Sequence, residues 1–466
     1  NPLKRSLGSA SLVALGIGAI IGAGLFSLTG IAAAEHSGPA VTISFILAAI
    51  GCGFAGLCYA EFASMIPIAG SAYTYSYATM GEFVAWIIGW DLVLEYALGA
   101  ATVSVSWSRY LLEFLNKYDI HLPTQLVCSP FEVLTLSNGT VIDNGIVNLP
   151  AILIVFALSL FLIRGTEGSA FLNNILVVVK VAVVLVFIAL GWSHIDPTNY
   201  TPYIPENTGN YENFGWTGIA TGAAVVFFAF IGFDAVSTAA QEAKNPQKGM
   251  PIGILGSLIV CTVLYVLFAH VMTGLVNYKE FANDAKPAAT AFAKTGYSSL
   301  QSGLIIAILA GYTSVMLVML LGQSRVFYSM SKDGLLPKFF SEIHPKFSTP
   351  WKTNIFFMFF VSIFAGFVPV SDLGHMVSIG TLFAFCLVCV GVWMLRVKRP
   401  DLKRSFRTPW VPFVPIMGIL ICLYLMYSLP VESWYRLSIW LALGFAIYFG
   451  YGKKNSKLGK QNNSDI

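Results

Sequence analysis

Charged side chains are scarce in this chain. Only 11% of its 466 residues are Asp, Glu, Lys or Arg, while 56% are hydrophobic. A soluble domain carries roughly 25% charged residues, because its surface must face water; no such surface is available here. Paired cysteines are missing too. Of the seven, Cys52, Cys58, Cys261, Cys386, Cys389 and Cys422 lie in apolar segments and Cys128 sits alone in a polar loop. No two form an obvious disulfide pair and no Cys/His spacing suggests zinc, so the six read as small packing residues. The histidines (His36, His121, His194, His270, His344 and His375) are scattered, mostly in loops. No Ser/His/Asp or metal-ligand spacing appears, which argues against an intramembrane protease or transferase, and no metal or cofactor is expected. A channel would want a filter or charged ring repeated by oligomerisation, and none is visible.

What the sequence does contain is long apolar runs. A membrane-spanning helix needs ~20 mostly apolar residues, which leaves room for about twelve here. They are expected at 9–34, 40–66, 81–115, 149–164, 171–192, 214–241, 251–276, 297–326, 351–368, 373–396, 409–429 and 433–452. No cleavable signal peptide is expected, because the first apolar segment is too long and more spans follow it. The formal net charge of +4 is a topology signal and gives no reason to invoke nucleic acid. Twenty Lys and Arg fall in alternate loops and both ends, against five in the opposite loops; Arg109 and Lys180 lie within spans and complete the 27. Positive loops stay cytoplasmic, so both termini are expected inside and the 116–148 loop outside, in a multi-pass protein of the plasma (cell inner) membrane. That loop carries a glycosylation triplet, Asn138-Gly139-Thr140. Arg109, near the outer end of its span, is expected to snorkel.

Two spans are interrupted. The first reads Gly16-Ile17-Gly18-Ala19-Ile20-Ile21-Gly22-Ala23-Gly24-Leu25-Phe26, four glycines in nine residues. Each weakens a helix by ~1 kcal/mol relative to Ala. Gly18 and Gly22 also fit the G-x-x-x-G spacing of close helix packing. The other reading is a mid-membrane break, whose free N–H groups would receive a carboxylate and whose free carbonyls an ammonium. The sixth span reads Phe227-Phe228-Ala229-Phe230-Ile231-Gly232-Phe233-Asp234-Ala235. Asp234 is either a functional charge within the span or the cap of a following half-helix. Interruptions five spans apart are the pattern of two inverted five-helix repeats with a site between them, a rule known from LeuT.

Several stretches together resemble the amino acid–polyamine–organocation transporters, and most closely their bacterial members similar to cationic amino acid transporters. They are Gly16 to Phe26; Tyr59-Ala60-Glu61-Phe62-Ala63-Ser64 with Pro67 and Gly70-Ser71-Ala72-Tyr73; Gly89-Trp90-Asp91-Leu92-Val93-Leu94-Glu95-Tyr96; Phe230 to Ala240; Asn245-Pro246 to Pro251; and Ser324-Arg325 to Asp333-Gly334-Leu335-Leu336-Pro337. The resemblance runs from near residue 9 to near residue 450. It implies an all-α integral membrane fold with a LeuT-type 5+5 inverted repeat, broken first and sixth helices, and helices eleven and twelve outside the repeat. Residues 1–396 would form the transport core, and 397–466 the last two helices and a cytoplasmic tail.

Carried over residue by residue, the resemblance puts the substrate carboxylate on the amides of Ala23 and Gly24, and the ammonium on carbonyls near Ile20, Phe228, Ala229 and Ile231. Where many relatives have Ser or Thr, this chain has Ala23, which loses a hydroxyl but keeps the amide. Phe228 matches the aromatic that closes over substrate. The expected cargo is a small-molecule L-amino acid, carried across the lipid bilayer by alternating access without covalent chemistry. Either a small membrane subunit or a homo-oligomer is compatible with the sequence.

Lys180 stands near the middle of the fifth span. A Lys at bilayer centre costs at least ~2.5 kcal/mol, and either interface is ~15 Å away; it must be paired or neutral. The resemblance has its ammonium replace the sodium ion of sodium-driven relatives, between the first and eighth spans, lined by Gly18, Thr313 and Ser314. The proton would then be the coupling ion, unless Lys180 is a fixed structural charge. Glu95, deep in the third span with Asp91 one turn earlier, is either a proton relay or cation contact, or a packing carboxyl. The resemblance places Met319 at the pocket floor, where a thioether offers no strong acceptor. Small neutral amino acids such as alanine are therefore expected as substrates; the alternative is a cationic amino acid or polyamine carrier or exchanger.

Overall fold

A computed structural model describes residues 8–65, 72–136, 139–164, 170–233, 243–282 and 284–464. Asp234, Asn138 and the Pro67 to Ser71 part of the second motif lie outside these residues. The described chain is helical almost throughout. In chain order the helices are α1 (Ser9–Ile20), α2 (Ala23–Ala32), α3 (Val41–Met65), α4 (Ala72–Thr79), α5 (Glu82–Lys117), α6 (Leu149–Arg164), α7 (Ala170–Gly191) and α8 (Gly215–Val226). There follow α9 (Pro246–Leu275), α10 (Pro287–Phe292), α11 (Ser298–Lys332), α12 (Trp351–Phe367), α13 (Val370–Lys398), α14 (Phe413–Ser428), α15 (Val431–Ile447) and a tail helix, α16 (Lys457–Ser464).

Among the described residues, six helices are long and apolar enough to cross a membrane, or seven if the pair bent by 113° between Ser428 and Val431 is one span. Four shorter apolar helices, Ser9–Ile20, Leu149–Arg164, Gly215–Phe230 and Trp351–Phe367, accompany them. A spanning helix in lipid satisfies its own backbone, which is why so apolar a chain folds this way. Large apolar side chains point outward: Leu153, Val178, Ile259 and Ile439 are all exposed. Such exposed apolar surface suits a lipid solvent and would aggregate in water. The protein is an all-α, multi-pass membrane protein.

The interior is built on long central helices. At ~1.5 Å per residue the 36 residues of α5 span about 54 Å, more than a bilayer's apolar core. α5 packs along α11 and α13, while α1 packs on α9 and α7. Close approach is made by glycine: a Cβ at Gly380 would lie 2.6 Å from Leu94 Cβ.

Arg109 corrects its expectation. It is 2% exposed, so it does not snorkel. The loop after α5 folds back over it; the guanidinium donates to the Val127 carbonyl at 2.5 Å and pairs with Glu132. The loop's own apolar side chains, Val127, Cys128, Leu134, Leu136 and Ile142, form a small second core with Leu112. A buried arginine is tolerable where a carboxylate meets it, and here the partner comes from a loop whose fold the span pattern does not reveal. We call this side the loop face and the opposite side, with the Arg396 to Arg407 cluster, the basic face.

Candidate substrate site

Both predicted interruptions are present. α1 ends at Ile20, Ile21 turns extended (ψ 111°), and α2 starts at Ala23 with Gly22 as its N-cap and no side-chain cap. The first N–H groups of α2 thus have no helical partner and carry the positive end of its dipole. In the second, α8 stops at Val226, a tight turn covers Phe227–Phe230, and Ile231 is extended at ψ 129°. Gly232 follows with φ +122°, a region L side chains rarely adopt.

The two interruptions touch backbone to backbone. A Cβ on Gly24 would lie 2.4 Å from Ala229 Cα, 2.5 Å from Ala229 N and 2.9 Å from the Phe228 carbonyl carbon; one on Gly232 would lie 2.3 Å from the Ala19 oxygen. Ile20, Gly24, Phe228, Ala229 and Ile231 are therefore brought together. What spacing did not disclose is the residue that spans them. The buried Tyr265 of α9 donates its hydroxyl towards Ile20 O at 3.0 Å and Ala229 O at 2.7 Å. The ring is held between Phe45 and Phe230, with centroids 5.4 and 5.2 Å away. The available signal was a phenol within an apolar run, which must find a polar partner when buried. Each carbonyl keeps a second lone pair, so Tyr265 can share these oxygens with an ammonium.

Beside the break lies a side-chain compartment. A Cβ at Gly99 on α5 would meet Met319 Sδ at 3.0 Å and Phe228 Cε2 at 3.7 Å, and one at Gly22 would meet Val315 Cγ2 at 3.6 Å. Met319 and Phe228 thus converge on a glycine of α5, an element of the site that sequence reading did not identify. Glu95 is one turn before Gly99 and Asp91 two turns before, on the same helix face. Glu95 is 4% exposed. Asp91 is fully buried, and neither of its carboxylate oxygens has a hydrogen-bond partner among the described residues.

Lys180 lies apart from this compartment, on α7 between α1 and α11. Its Cγ would be 3.0 Å from a Cβ at Gly311, and Val177, one turn before it, would crowd a Cβ at Gly18 at 2.6 Å. Gly18, Lys180 and α11 are thereby neighbours. Thr313 spends its hydroxyl on its own helix, donating to Leu309 O at 2.9 Å. Lys180 takes part in none of the ion pairs among the described residues.

The chain matches known proteins over nearly its full length. A family model described as amino acid permease covers residues 7–448. The branched-chain amino acid permease BcaP of Bacillus subtilis is 46% identical over 98% of this chain and 95% of its own. The methylthioribose transporter of the same organism is 42% identical over the same shares, 98% and 95%. The vacuolar cationic amino acid transporter 4 of Arabidopsis thaliana is 38% identical over 86% of this chain and 65% of its own.

Proposed function

The chain belongs to the amino acid permease family, a family of carriers and not of enzymes, and we propose that it is a proton-coupled secondary transporter that takes up small neutral L-amino acids such as alanine by alternating access. The proposal includes twelve spans in the LeuT-type arrangement, a transport core over residues 1–396, both termini cytoplasmic and a place in the plasma membrane. The observation that carries it is the meeting of two interrupted segments, Gly24 against Phe228 and Ala229. Substrate carboxylate would sit on the amides of Ala23 and Gly24 at the positive end of α2, and the ammonium on carbonyls of Ile20, Phe228, Ala229 and Ile231. The side chain would enter the compartment of Gly99, Phe228, Val315 and Met319. An apolar lining suits a neutral aliphatic side chain; the branched-chain specificity named for the 46% relative is of the same kind.

Saturable uptake into proteoliposomes, with competition by all twenty amino acids and by methylthioribose, tests this. Alanine or the branched-chain amino acids should compete best and arginine poorly. Strong arginine uptake would overturn the neutral reading and move the substrate contact to Glu95. On the neutral reading, Met319→Ser should open the floor. Removing the equivalent of a methylene or two of steric block is worth about tenfold, so arginine uptake should rise by that order relative to alanine; an unchanged substrate ranking would remove Met319 from the floor.

Coupling is assigned to Lys180, with Gly18, Ser314 and Thr313 around it and with Glu95 and Asp234 as further proton-handling carboxyls. Lys180→Ala should abolish uptake driven by a pH gradient while leaving folding and substrate binding, since alanine removes a buried charge. Lys180→Arg should not restore it, because a guanidinium stays protonated. Gradient-driven uptake that persists with the parent's pH dependence in Lys180→Ala would exclude this role.

A further inference from the structure

Away from the candidate site, at the loop face, two histidines 339 residues apart meet. His36 lies on a π-helical turn, Ala33–Ser37, directly after α2, and His375 lies near the start of α13. Their Nε2 atoms are 3.4 Å apart, and Glu35 Oε2 is 3.7 Å from His36 Nε2. The three side-chain ligand atoms all fall within 4.8 Å of one another. They line a cavity of about 370 Å³ together with Thr208, Glu212 and Asn213. We propose that Glu35, His36 and His375 form a binding site for a divalent transition-metal cation, of which zinc fits best, and that the bound ion holds the end of α2 to α13.

Three observations carry this. The first is distance. Two nitrogens bound tetrahedrally at ~2.0–2.1 Å to one zinc ion stand roughly 3.3 Å apart, and the imidazoles are already at that separation. The second is the tautomer. His36 Nδ1 is 2.8 Å from the Glu212 carbonyl oxygen, which can only accept, so Nδ1 carries the proton and Nε2 turns its lone pair towards His375. This is the outer-shell arrangement that orients histidine ligands at metal sites. The third is access and charge. His36 and His375 are 3% and 7% exposed, whereas the Glu35 side chain is 31% exposed and lies at the cavity. Two His and one Glu leave a fourth position for water from that cavity, the donor set of an open zinc site. Ser371 donates to Glu35 Oε2 at 3.2 Å and steadies it. Glu212 adds a second acidic residue to the lining, and Arg436 is paired with Asp372 at 3.7 Å.

The site has a consequence for transport. α2 begins at the interruption of the first span and ends at this cluster, so an ion shared with α13 fastens the loop-face half of that span. Zinc added on this face should therefore slow uptake.

The test uses the full chain, purified and stripped with a chelator. ZnCl₂ titrated by calorimetry should bind with a stoichiometry of one and raise the melting temperature. His36→Ala and His375→Ala should each weaken binding by tenfold or more, since even outer-shell changes at metal sites cost roughly 10–100-fold. CoCl₂ should give the visible absorption of a tetrahedral site in the parent and lose it in both variants. Glu35→Gln, at a partly exposed position, serves as a third variant if a histidine variant fails to fold, and should weaken zinc likewise. Absence of binding heat in the parent overturns the proposal. So does binding of equal strength in every variant, which would place the metal on other histidines such as His121, His194 or His344.

Discussion

Gly24→Ala is expected to reduce amino acid uptake at least tenfold and to lower the melting temperature. The added methyl would sit 2.4 and 2.5 Å from the Cα and N of Ala229 and 2.9 Å from the Phe228 carbonyl carbon. All three are backbone atoms, so no side-chain rotation relieves the contact, and the two interrupted segments must move apart. Overpacking of this kind typically costs 1–3 kcal/mol. The movement also pulls Ile20 O away from Ala229 O, which Tyr265 spans with one hydroxyl. A site assembled from main-chain groups of two segments depends on their mutual position, and ~1.4 kcal/mol of lost binding is already tenfold. Gly22→Ala is the control. Its methyl would meet nothing closer than Val315 Cγ2 at 3.6 Å, so its uptake should fall much less. Labelled uptake in proteoliposomes and thermal unfolding of both variants provide the measurement. Uptake by Gly24→Ala at half the parental rate or more would show that the two interruptions do not form the site.

The contrast between Gly24 and Tyr265 shows what sequence could and could not disclose. The glycine clusters and the Phe228 to Gly232 run mark breaks by local chemistry: they weaken a helix wherever they stand, so both interruptions were legible. The apolar runs likewise marked helical segments, and α6 begins and ends at the expected residues, 149 and 164. What depends on pairing across the chain was not legible. Tyr265 shows only that some partner is needed, and not that carbonyls of two distant breaks supply it. Arg109 near a span end predicts snorkelling; only the folded loop with Glu132 makes burial the better outcome. His36 and His375 satisfy no local metal spacing because they are joined by the packing of two helices. Asp234 lies outside the described residues, so its two readings stand as the sequence left them.

Glu61 gives a second large effect, this time on stability. Its side chain is fully buried at the basic-face end of α3. One carboxylate oxygen accepts from Arg396 Nε and Nη2 at 3.0 and 2.8 Å and from the Thr408 N–H at 2.8 Å. The other oxygen is 3.5 Å from Arg404 Nε, whose side chain is also fully buried. One carboxylate thus neutralises two guanidinium groups and ties α3 to the end of α13 and the loop after it. Breaking a buried ion pair by removing one partner costs 3–5 kcal/mol, because the other charge stays behind uncompensated. Arg396 is 19% exposed and can rehydrate, so the low end applies: Glu61→Gln should destabilise the protein by about 3 kcal/mol, measured by denaturant unfolding of the purified chain. The amide keeps the shape and one acceptor, which isolates the charge. Adding Arg404→Met removes the fully buried cation and should recover part of the loss, since replacing both members of a buried pair is often near neutral. Unfolding of Glu61→Gln at the parental midpoint would mean that water, and not Glu61, solvates the arginines; no recovery in the double variant would mean that the cost lies with Arg396 and Thr408.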